Sequence, residues 1–479
     1  MKSGLRSIKL LLILVLISFI GITPASSAKE YSFPDPYDCY RPYVAVTSRM
    51  NQLTEFYPDL ARIKVIGQST EGRPIQVLQL GRDVETNTKP RLVLVSGLKA
   101  NALAQVELNL SFAENLLESY GQDANANWLL EETEIHLILV ANPDGRQIAE
   151  YQILNGEIPT WTKNRNIGEC TTDDGGVALG LNFSYEWAPV ITEGCAPNYP
   201  GPYEASEPET QAIQTYLEKI LAQNPERSLV IDLQNEGDPT LSNRIITPFL
   251  YSKTAENPLE DELYMLASKL AYDSETIPNR GIPDNRILTG TLTDFAFGEL
   301  QSPSLRFNLG PAEAGGDVTS CWYFDEVMKP EGLASLTRAA MLAAGPLSQA
   351  QGPEITFATI EDFPFKTHIT GQADDASFYK PWLTEDEYSA VHHVAFSLDT
   401  PPWRPDALFT QVAGEQLPEE PYLMDFEHTF HFAELTPGKH MVYFQAWDTD
   451  PSGDPGQAGM INAVEINVPI FTFIPLLIR

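Results

Sequence analysis

The sequence predicts an α/β domain whose mostly parallel sheet is covered by helices on both faces, followed by an all-β sandwich domain. Up to about residue 345, continuous β-branched and aliphatic runs alternate with segments of helical period. This alternation is typical of strands buried on both faces of a sheet. Beyond that point, apolar and polar residues alternate in short runs, some of them separated by turn residues, which indicates antiparallel strands.

The elements of the first domain follow in chain order. A short helix is predicted over 43–57, and two strands, 63–67 and 75–80, form a hairpin around a Gly-Arg-Pro turn. Ser206 and Glu209 have the spacing of a capping box that opens a helix. Buried strands are predicted over 91–95, 135–140, 229–233 and 305–309, and helices over 106–120, 206–222 and 332–344.

The second domain is predicted from its period-2 runs at 394–398, 429–432 and 440–447. These runs indicate an antiparallel sandwich of Ig-like or fibronectin-like type. The expected boundaries are 36–345 for the α/β domain, 346–353 for a linker, 354–470 for the sandwich and 471–479 for an apolar C-terminal tail.

The first 28 residues have the composition of a signal peptide. Lys2, Arg6 and Lys9 precede an apolar run, and Ser-Ser-Ala at 26–28 supplies the small residues of a cleavage site. The apolar run is short for a membrane span. We therefore expect a secreted protein, extracellular or at the cell surface, with no transmembrane span after cleavage.

The chain is strongly acidic, with a formal net charge of −34 at pH 7. Removal of the signal peptide takes away three basic residues and no acids, which gives −34 − 3 = −37. Such a surface repels nucleic acid and anionic membranes and argues against both as partners.

Four cysteines permit two disulfides in three possible pairings. Cys170 and Cys195 bracket an irregular stretch rich in glycine and proline, where a cross-link would constrain a loop. We favour this pair, with Cys39–Cys321 as its complement. None of the four lies in a Cys-x-x-Cys motif, so a structural zinc site is not expected.

Several short motifs resemble those of secreted zinc carboxypeptidases of the A and T type. They occur in the order and spacing of that family over roughly residues 40–345, and include Glu71-Gly72-Arg73-Pro74, Asn142-Pro143-Asp144-Gly145, Lys163-Asn164-Arg165 and Ser206-Glu207-Pro208-Glu209. The resemblance implies an α/β/α sandwich with a central mixed sheet and an active-site hollow at the strand ends. It also implies zinc as the cofactor.

The resemblance implies that two histidines and a glutamate hold the zinc. At the matching positions this sequence has Lys99, Ala102 and Gln234. The catalytic glutamate is replaced by Asn308, and Thr162 stands where an oxyanion-binding arginine is expected.

Two further family features are also missing. Gly180 and Leu181 replace the pair that grips the terminal carboxylate of the substrate, and Arg286 stands in the place of a tyrosine that closes over it. The number of histidines supports the same interpretation without any alignment, because His136 is the only histidine between residues 29 and 345. A site with two histidines therefore cannot be built within this domain, and no metal cofactor is expected.

These substitutions predict a catalytically inactive relative of the peptidases. Its remnant pocket is expected to bind a peptide C-terminus or another anionic ligand, through Lys99, Gln234, Asn235, Arg286, Arg306 and Asn308. In the alternative interpretation of the pocket, Lys99 pairs with Asp232 or Glu236 and the hollow is filled. The alternative functions are an active zinc carboxypeptidase with a rebuilt site and a surface protein that adheres through its sandwich domain.

Overall fold

The computed structural model describes residues 33–470, except for 36, 86–87, 169, 171–173, 190, 236–242, 250–256, 273, 275, 281–287, 311–319 and 379–387. The predicted signal peptide and the predicted apolar tail over 471–479 lie outside the described residues. None of the described helices has the length and apolar character needed to cross a bilayer.

The first domain is organised around a mixed sheet, as the family resemblance implies. Among the described residues this sheet has eight strands in the order β1-β2-β4-β3-β5-β8-β6-β7. The central strands β4, β3, β5 and β8 are parallel, whereas β1, β2 and β6 join antiparallel neighbours. The strands are β1 Ala61–Gln68, β2 Pro74–Leu80, β3 Arg91–Ser96, β4 Glu134–Ile138, β5 Ser228–Gln234, β6 Arg244–Ile246, β7 Ile277–Asn279 and β8 Ser304–Asn308.

Helices cover both faces of this sheet. Along β3, Leu92 and Leu94 point into one apolar cluster, and Val93 and Val95 point into the other. This explains why the strand reads as a continuous apolar run. The helices are α1 Tyr43–Phe56, α2 Leu103–Ser119, α3 Ala124–Glu132, α4 Pro143–Leu154, α5 Pro208–Leu221, α6 Glu260–Leu270, α7 Leu292–Asp294, α8 Cys321–Tyr323, α9 Lys329–Leu342 and α10 Pro346–Gln349. Short 3-10 turns lie at Leu179–Leu181 and Pro225–Arg227, and π-helical turns at Phe295–Glu299 and Phe324–Met328.

The predicted capping box at the start of α5 is wrong. The N-cap residue is Glu207, which makes no side-chain cap bond, and Ser206 Oγ donates to Glu207 Oε1 at 2.7 Å. The Glu209 carboxylate instead accepts a hydrogen bond from the backbone N–H of Thr70 at 2.9 Å. This long-range contact with the turn between β1 and β2 takes the carboxylate away from the helix terminus.

In its described residues, the C-terminal part forms two antiparallel sheets. One has the order β13-β14-β10-β9, and the other has the order β12-β11-β15-β16 with β17 paired to β15. Phe396, Phe426 and Phe444 from both sheets share one buried cluster. The strands are β9 Glu354–Phe363, β10 Lys366–Asp374, β11 Val391–Leu398, β12 Phe409–Gln411, β13 Ala413–Leu417, β14 Glu420–His431, β15 Gly438–Thr449, β16 Pro455–Ala458 and β17 Asn462–Val468.

The two parts meet in a tightly packed junction. The indole of Trp128 on α3 is 1% exposed, and its ring centroid lies 5.7 Å from that of Trp403 and 6.3 Å from that of Tyr443. Asn127 Nδ2 donates to Glu465 Oε2 at 3.1 Å. The stretch 346–353, expected to be a linker, contains α10 and the buried Ala350. The two parts of the chain are therefore packed against each other at this junction.

Two disulfides are present, Cys39–Cys321 and Cys170–Cys195, which is the pairing favoured from the sequence. The first connects the segment before α1 to α8, across 282 positions of the chain. The second closes the irregular segment between α4 and α5.

Candidate functional site

Three of the residues singled out from the sequence lie where neighbouring parallel strands end. Gln234 is the last residue of β5, Asn308 is the last residue of β8, and Lys99 follows β3 by three residues. Gly97 makes the turn after β3 with φ +71°, and a Cβ there would lie 3.1 Å from the carbonyl oxygen of Leu139. Because the carboxyl ends of parallel strands meet at one edge of a sheet, these side chains are brought together there.

The site occupies one face of that edge. Asp232 and Gln234 alternate with apolar residues along β5, so they share the face of Val230. Across the ladder, Asp232 is the register partner of Arg306, and Gln234 is the partner of Asn308. The strand register therefore places two polar pairs side by side in a buried position.

A cavity of about 160 Å³ opens at this edge. It is lined by Leu98, Lys99, Thr162, Ala178, Leu179, Gly180, Leu181, Asn198, Gln234, Leu288 and Arg306. The sequence-predicted residues Lys99, Gln234 and Arg306 thus converge on one space.

The remaining predicted pocket residues are placed differently. Asn235 contributes its carbonyl oxygen, which accepts from Lys99 Nζ at 2.8 Å. Asn308 accepts at Oδ1 from Arg306 Nε at 3.0 Å and so orients that guanidinium. Arg286 and Glu236, named as a pocket residue and as a partner for Lys99, lie outside the described residues.

Asp232 is the buried acid of the site. Its side chain is fully buried, and Oδ1 accepts from Gln234 Nε2 at 2.7 Å. Within the part of the chain that the structure describes, Oδ2 has no hydrogen-bond partner. Burial raises the pKa of Asp232 to about 6, against the opposing effects of Arg306, the Gln234 bond and Lys99. At neutral pH this carboxylate is an internal negative charge next to the cavity.

Arg244 is a residue that the sequence reasoning missed. It opens β6 and is the register partner of Asn308. Its Nε is buried and, within the described ranges, has no hydrogen-bond partner; the same holds for Asn308 Nδ2. A basic residue at the start of a short apolar run is a weak signal, and nothing local in the sequence pairs it with Asn308.

The residues present do not fit a catalytic zinc ion. A lysine ammonium donates hydrogen bonds and accepts none, and the side chain of Ala102, a fully buried methyl group, has no donor atom. Carboxamides such as that of Gln234 are not among the usual ligands of zinc. Over the described residues, no group of three or more histidines, cysteines, aspartates and glutamates is placed to hold a metal.

His136 belongs to a different part of the sheet. It lies within β4, and its register partner on β3 is Val93, well before the strand end that leads to Lys99. Its Nδ1 is 2.7 Å from the Tyr216 hydroxyl, and Nε2 is 3.5 Å from Glu134 Oε2. Complete burial lowers the pKa of this imidazole and keeps it neutral. The ring is therefore part of an interior polar network and does not reach the cavity.

Fold and site together define an α/β protein with a cleft at the carboxyl edge of a mixed sheet. The sequence model of the zinc carboxypeptidase family matches residues 46–327, which is more than half of the chain. The chain therefore belongs to the zinc carboxypeptidase family.

Curated relatives match this chain over part of its length. A zinc carboxypeptidase of Saccharothrix mutabilis subsp. capreolus is 27% identical over 32% of this chain and 35% of its own length. The inactive metallocarboxypeptidase ECM14 of Paracoccidioides lutzii is 29% identical over 48% of this chain and 38% of its own. Carboxypeptidase B2 of Bos taurus is 26% identical over 50% of this chain and 54% of its own length. The matched part of the chain thus spans roughly a third to a half of the length of these relatives.

Solved structures show the same fold. Bovine thrombin-activatable fibrinolysis inhibitor, in complex with tick carboxypeptidase inhibitor, aligns with a TM-score of 0.54 at 21% identity. That alignment covers 64% of this chain and 97% of the other. Carboxypeptidase A of Helicoverpa armigera aligns with a TM-score of 0.54 at 19% identity, over 67% of this chain and 78% of the other. At these identities the likeness establishes the fold alone.

Proposed function

We propose that this protein is a catalytically inactive member of its family, and that its cleft binds a carboxylate-bearing ligand without cleaving it. The observation that carries the proposal is the cavity at the carboxyl edge, where Lys99 and Arg306 provide two cations. In this chain, the residues at the family's zinc-ligand positions and at the position of its catalytic base are neutral or cationic. Cationic groups attract a carboxylate, but they neither hold a dication nor accept a proton from water.

The chemistry of peptide hydrolysis supports this proposal. Metal-assisted hydrolysis needs a bound dication with an open position and a nearby base for the attacking water. Asn308 has an amide in the place of that base, and its Oδ1 already accepts from Arg306 Nε. A relative that is named an inactive metallocarboxypeptidase matches about half of this chain, which is consistent with a family branch that has lost hydrolysis.

Export is part of the same proposal. The first 28 residues have the pattern of a signal peptide, and the two disulfides fit an oxidising compartment. We assign the C-terminal part to the Ig-like or fibronectin-like sandwiches, because its two antiparallel sheets pack around one shared core.

Replacing Lys99 with alanine is expected to weaken carboxylate binding by more than about tenfold, since a charge-assisted hydrogen bond contributes about 1.5–3 kcal/mol. The measurement is a calorimetric titration of the full chain with N-acetylleucine, which carries a terminal carboxylate like that of a peptide. Lys219→Ala is the matched control, because this lysine is exposed on α5 and pairs with Glu85. We expect saturable binding to the wild type and to the control variant. Equal affinities of the Lys99 variant and the wild type, or no saturable binding, would refute the proposal.

A further inference from the structure

The sheet with the order β13-β14-β10-β9 has one face in the sandwich core and one face towards solvent. Along β14, Met424 and Phe426 belong to the buried cluster, whereas Asp425 and Glu427, which alternate with them, are exposed. In the part of the chain that the structure describes, this outer face is therefore accessible to a partner.

A groove of about 860 Å³ crosses this outer face over all four strands. Neighbouring strands lie about 4.8 Å apart, so the groove is about 14 Å long. That is the length of four or five residues of extended chain at about 3.3 Å each. The strand register places the side chains in two rows across the sheet, Thr356, Gln372, Asp425 and Glu415 in one and Thr370, Glu427 and Ala413 in the other.

The end of the groove at β13 and β14 is acidic. Glu415 and Asp425 lie directly opposite each other in the ladder, and Glu427 lies two positions further along β14 on the same face. Like charges in such positions destabilise a sheet. Asp425 Oδ1 accepts from Gln372 Nε2 at 2.8 Å, and Glu427 Oε2 lies 3.8 Å from His368 Nε2. Within the described ranges, no lysine or arginine forms a salt bridge with these three carboxylates, so a cationic partner would relieve their repulsion.

The charge of the surrounding chain has the same sign. Residues 354–470 contain 4 lysines and arginines and 20 acids, a formal net charge of 4 − 20 = −16. This count includes the stretch 379–387, which lies outside the described residues and has one lysine and three acids. Arg479 is the only charged residue of 471–479, which also lies outside them. The undescribed stretches next to this part therefore do not reverse its sign, and its field attracts cations.

The end of the groove at β9 and β10 is uncharged and suits a peptide backbone. Thr356 and Thr370 supply hydroxyl groups, and Gln372 supplies an amide. These groups both donate and accept hydrogen bonds, as a peptide bond does, whereas a protonated polyamine only donates. Ala358 and Ala413 also line the groove and take up little space over the strands. The lining therefore fits an extended polypeptide better than a polyamine.

We propose that this groove is a docking site for an extended polypeptide segment that carries lysine or arginine side chains. The cationic side chains lie against Glu415, Asp425 and Glu427, and the backbone runs across the sheet towards β9. Each exposed ion pair contributes little, so binding depends on several of them together. The proposal concerns the C-terminal part and does not rest on the proposed function of the cleft.

The test is a calorimetric titration of the full chain with acetyl-Lys-Ser-Lys-Ser-Lys-amide at low ionic strength. In an extended chain, lysines at alternate positions project from one side. The blocked C-terminus offers no carboxylate to the cleft. The groove variant combines Glu415→Gln, Asp425→Asn and Glu427→Gln. Loss of each pair should weaken binding by about two- to fivefold, so the groove variant should bind about tenfold more weakly or worse.

The matched control removes the same total charge from exposed positions of the α/β part. It combines Glu55→Gln, Glu218→Gln and Glu226→Gln. We expect it to bind the peptide as tightly as the wild type does. Both variants should keep the wild-type affinity for N-acetylleucine, so failure of N-acetylleucine to bind any of the three proteins would count against the function of the cleft and leave the groove proposal standing.

Two further ligands test the groove with the wild type alone, without dependence on the folding of a variant. Acetyl-Gln-Ser-Gln-Ser-Gln-amide has no charge and should show no saturable binding. Spermidine should bind about tenfold more weakly than the lysine peptide, because it cannot accept hydrogen bonds from the uncharged end of the groove. Equal losses in the groove and control variants, no saturable binding of the lysine peptide, or equally tight binding of either further ligand would each refute the proposal.

Discussion

Asp232→Asn is expected to raise the free energy of unfolding by about 3 kcal/mol at pH 7.5, since one unit of pKa shift corresponds to about 1.36 kcal/mol. Burial raises the pKa of this carboxyl from 3.8 to about 6. A group whose pKa is raised on folding contributes stability that is fully present below its unfolded pKa and lost as the pH rises through its folded pKa. Above pH 6 the folded protein therefore holds an unfavourable buried charge, which asparagine removes.

Urea denaturation of the two proteins at several pH values measures this effect. The advantage of the asparagine variant should be largest above pH 7 and become small at about pH 3, below the unfolded pKa of 3.8, because aspartate is then largely protonated in both states. Glu226→Gln is the control, because it removes a carboxylate from an exposed position just before β5, and it should show no comparable gain. A stability difference that is absent at pH 7.5, or that does not change with pH, would contradict the assignment of Asp232 as a buried charge.

Trp128→Ala is expected to lower the free energy of unfolding by about 4 kcal/mol, the typical cost of deleting a large buried aromatic side chain. The indole is 1% exposed and packs between Trp403 and Tyr443, so its removal leaves a cavity at the junction between α3 and the C-terminal sheets. The Nε1–H also donates to Asn125 Oδ1 at 3.0 Å, and that same oxygen accepts from Ala463 N. Loss of Trp128 thus affects the junction as well as the core.

The matched control is Trp322→Ala, because Trp322 is 71% exposed. An exposed substitution of this kind is expected to change stability by no more than about 0.5 kcal/mol. Urea denaturation followed by circular dichroism compares the two variants with the wild type. Similar unfolding midpoints for the two tryptophan variants would show that Trp128 does not hold the junction together.

The strands that form the site were predictable because a strand that is buried on both faces has a continuous run of apolar residues in the sequence. The apolar runs at 91–95 and 305–309 correspond closely to β3 and β8. The end of each run then located Lys99 and Asn308, and the period of two placed Arg306 on the same face as Asn308. These are local signals, and they were sufficient to identify the edge of the sheet.

Other features depend on contacts between distant segments and left no local signal. The prediction of a capping box was wrong because the Glu209 carboxylate accepts a hydrogen bond from Thr70, which is far away in the sequence. Trp128 and Trp403 meet only through the packing of the two parts of the chain. Arg244 reaches the site because a short antiparallel strand pairs with β8. Asp232 is important because its side chain is completely buried. The position of an acidic residue within an apolar strand suggests this burial, but the sequence does not give its extent.

The zinc content of the purified full chain, measured together with hydrolysis of a hippuryl peptide, is the most direct test of the central claim. After incubation with zinc and exhaustive dialysis, we expect no retained metal and no hydrolysis, because an ammonium, a methyl group and two carboxamides occupy the positions of the ligands and the base. One tightly held zinc ion per chain, accompanied by turnover of the peptide, would contradict this account.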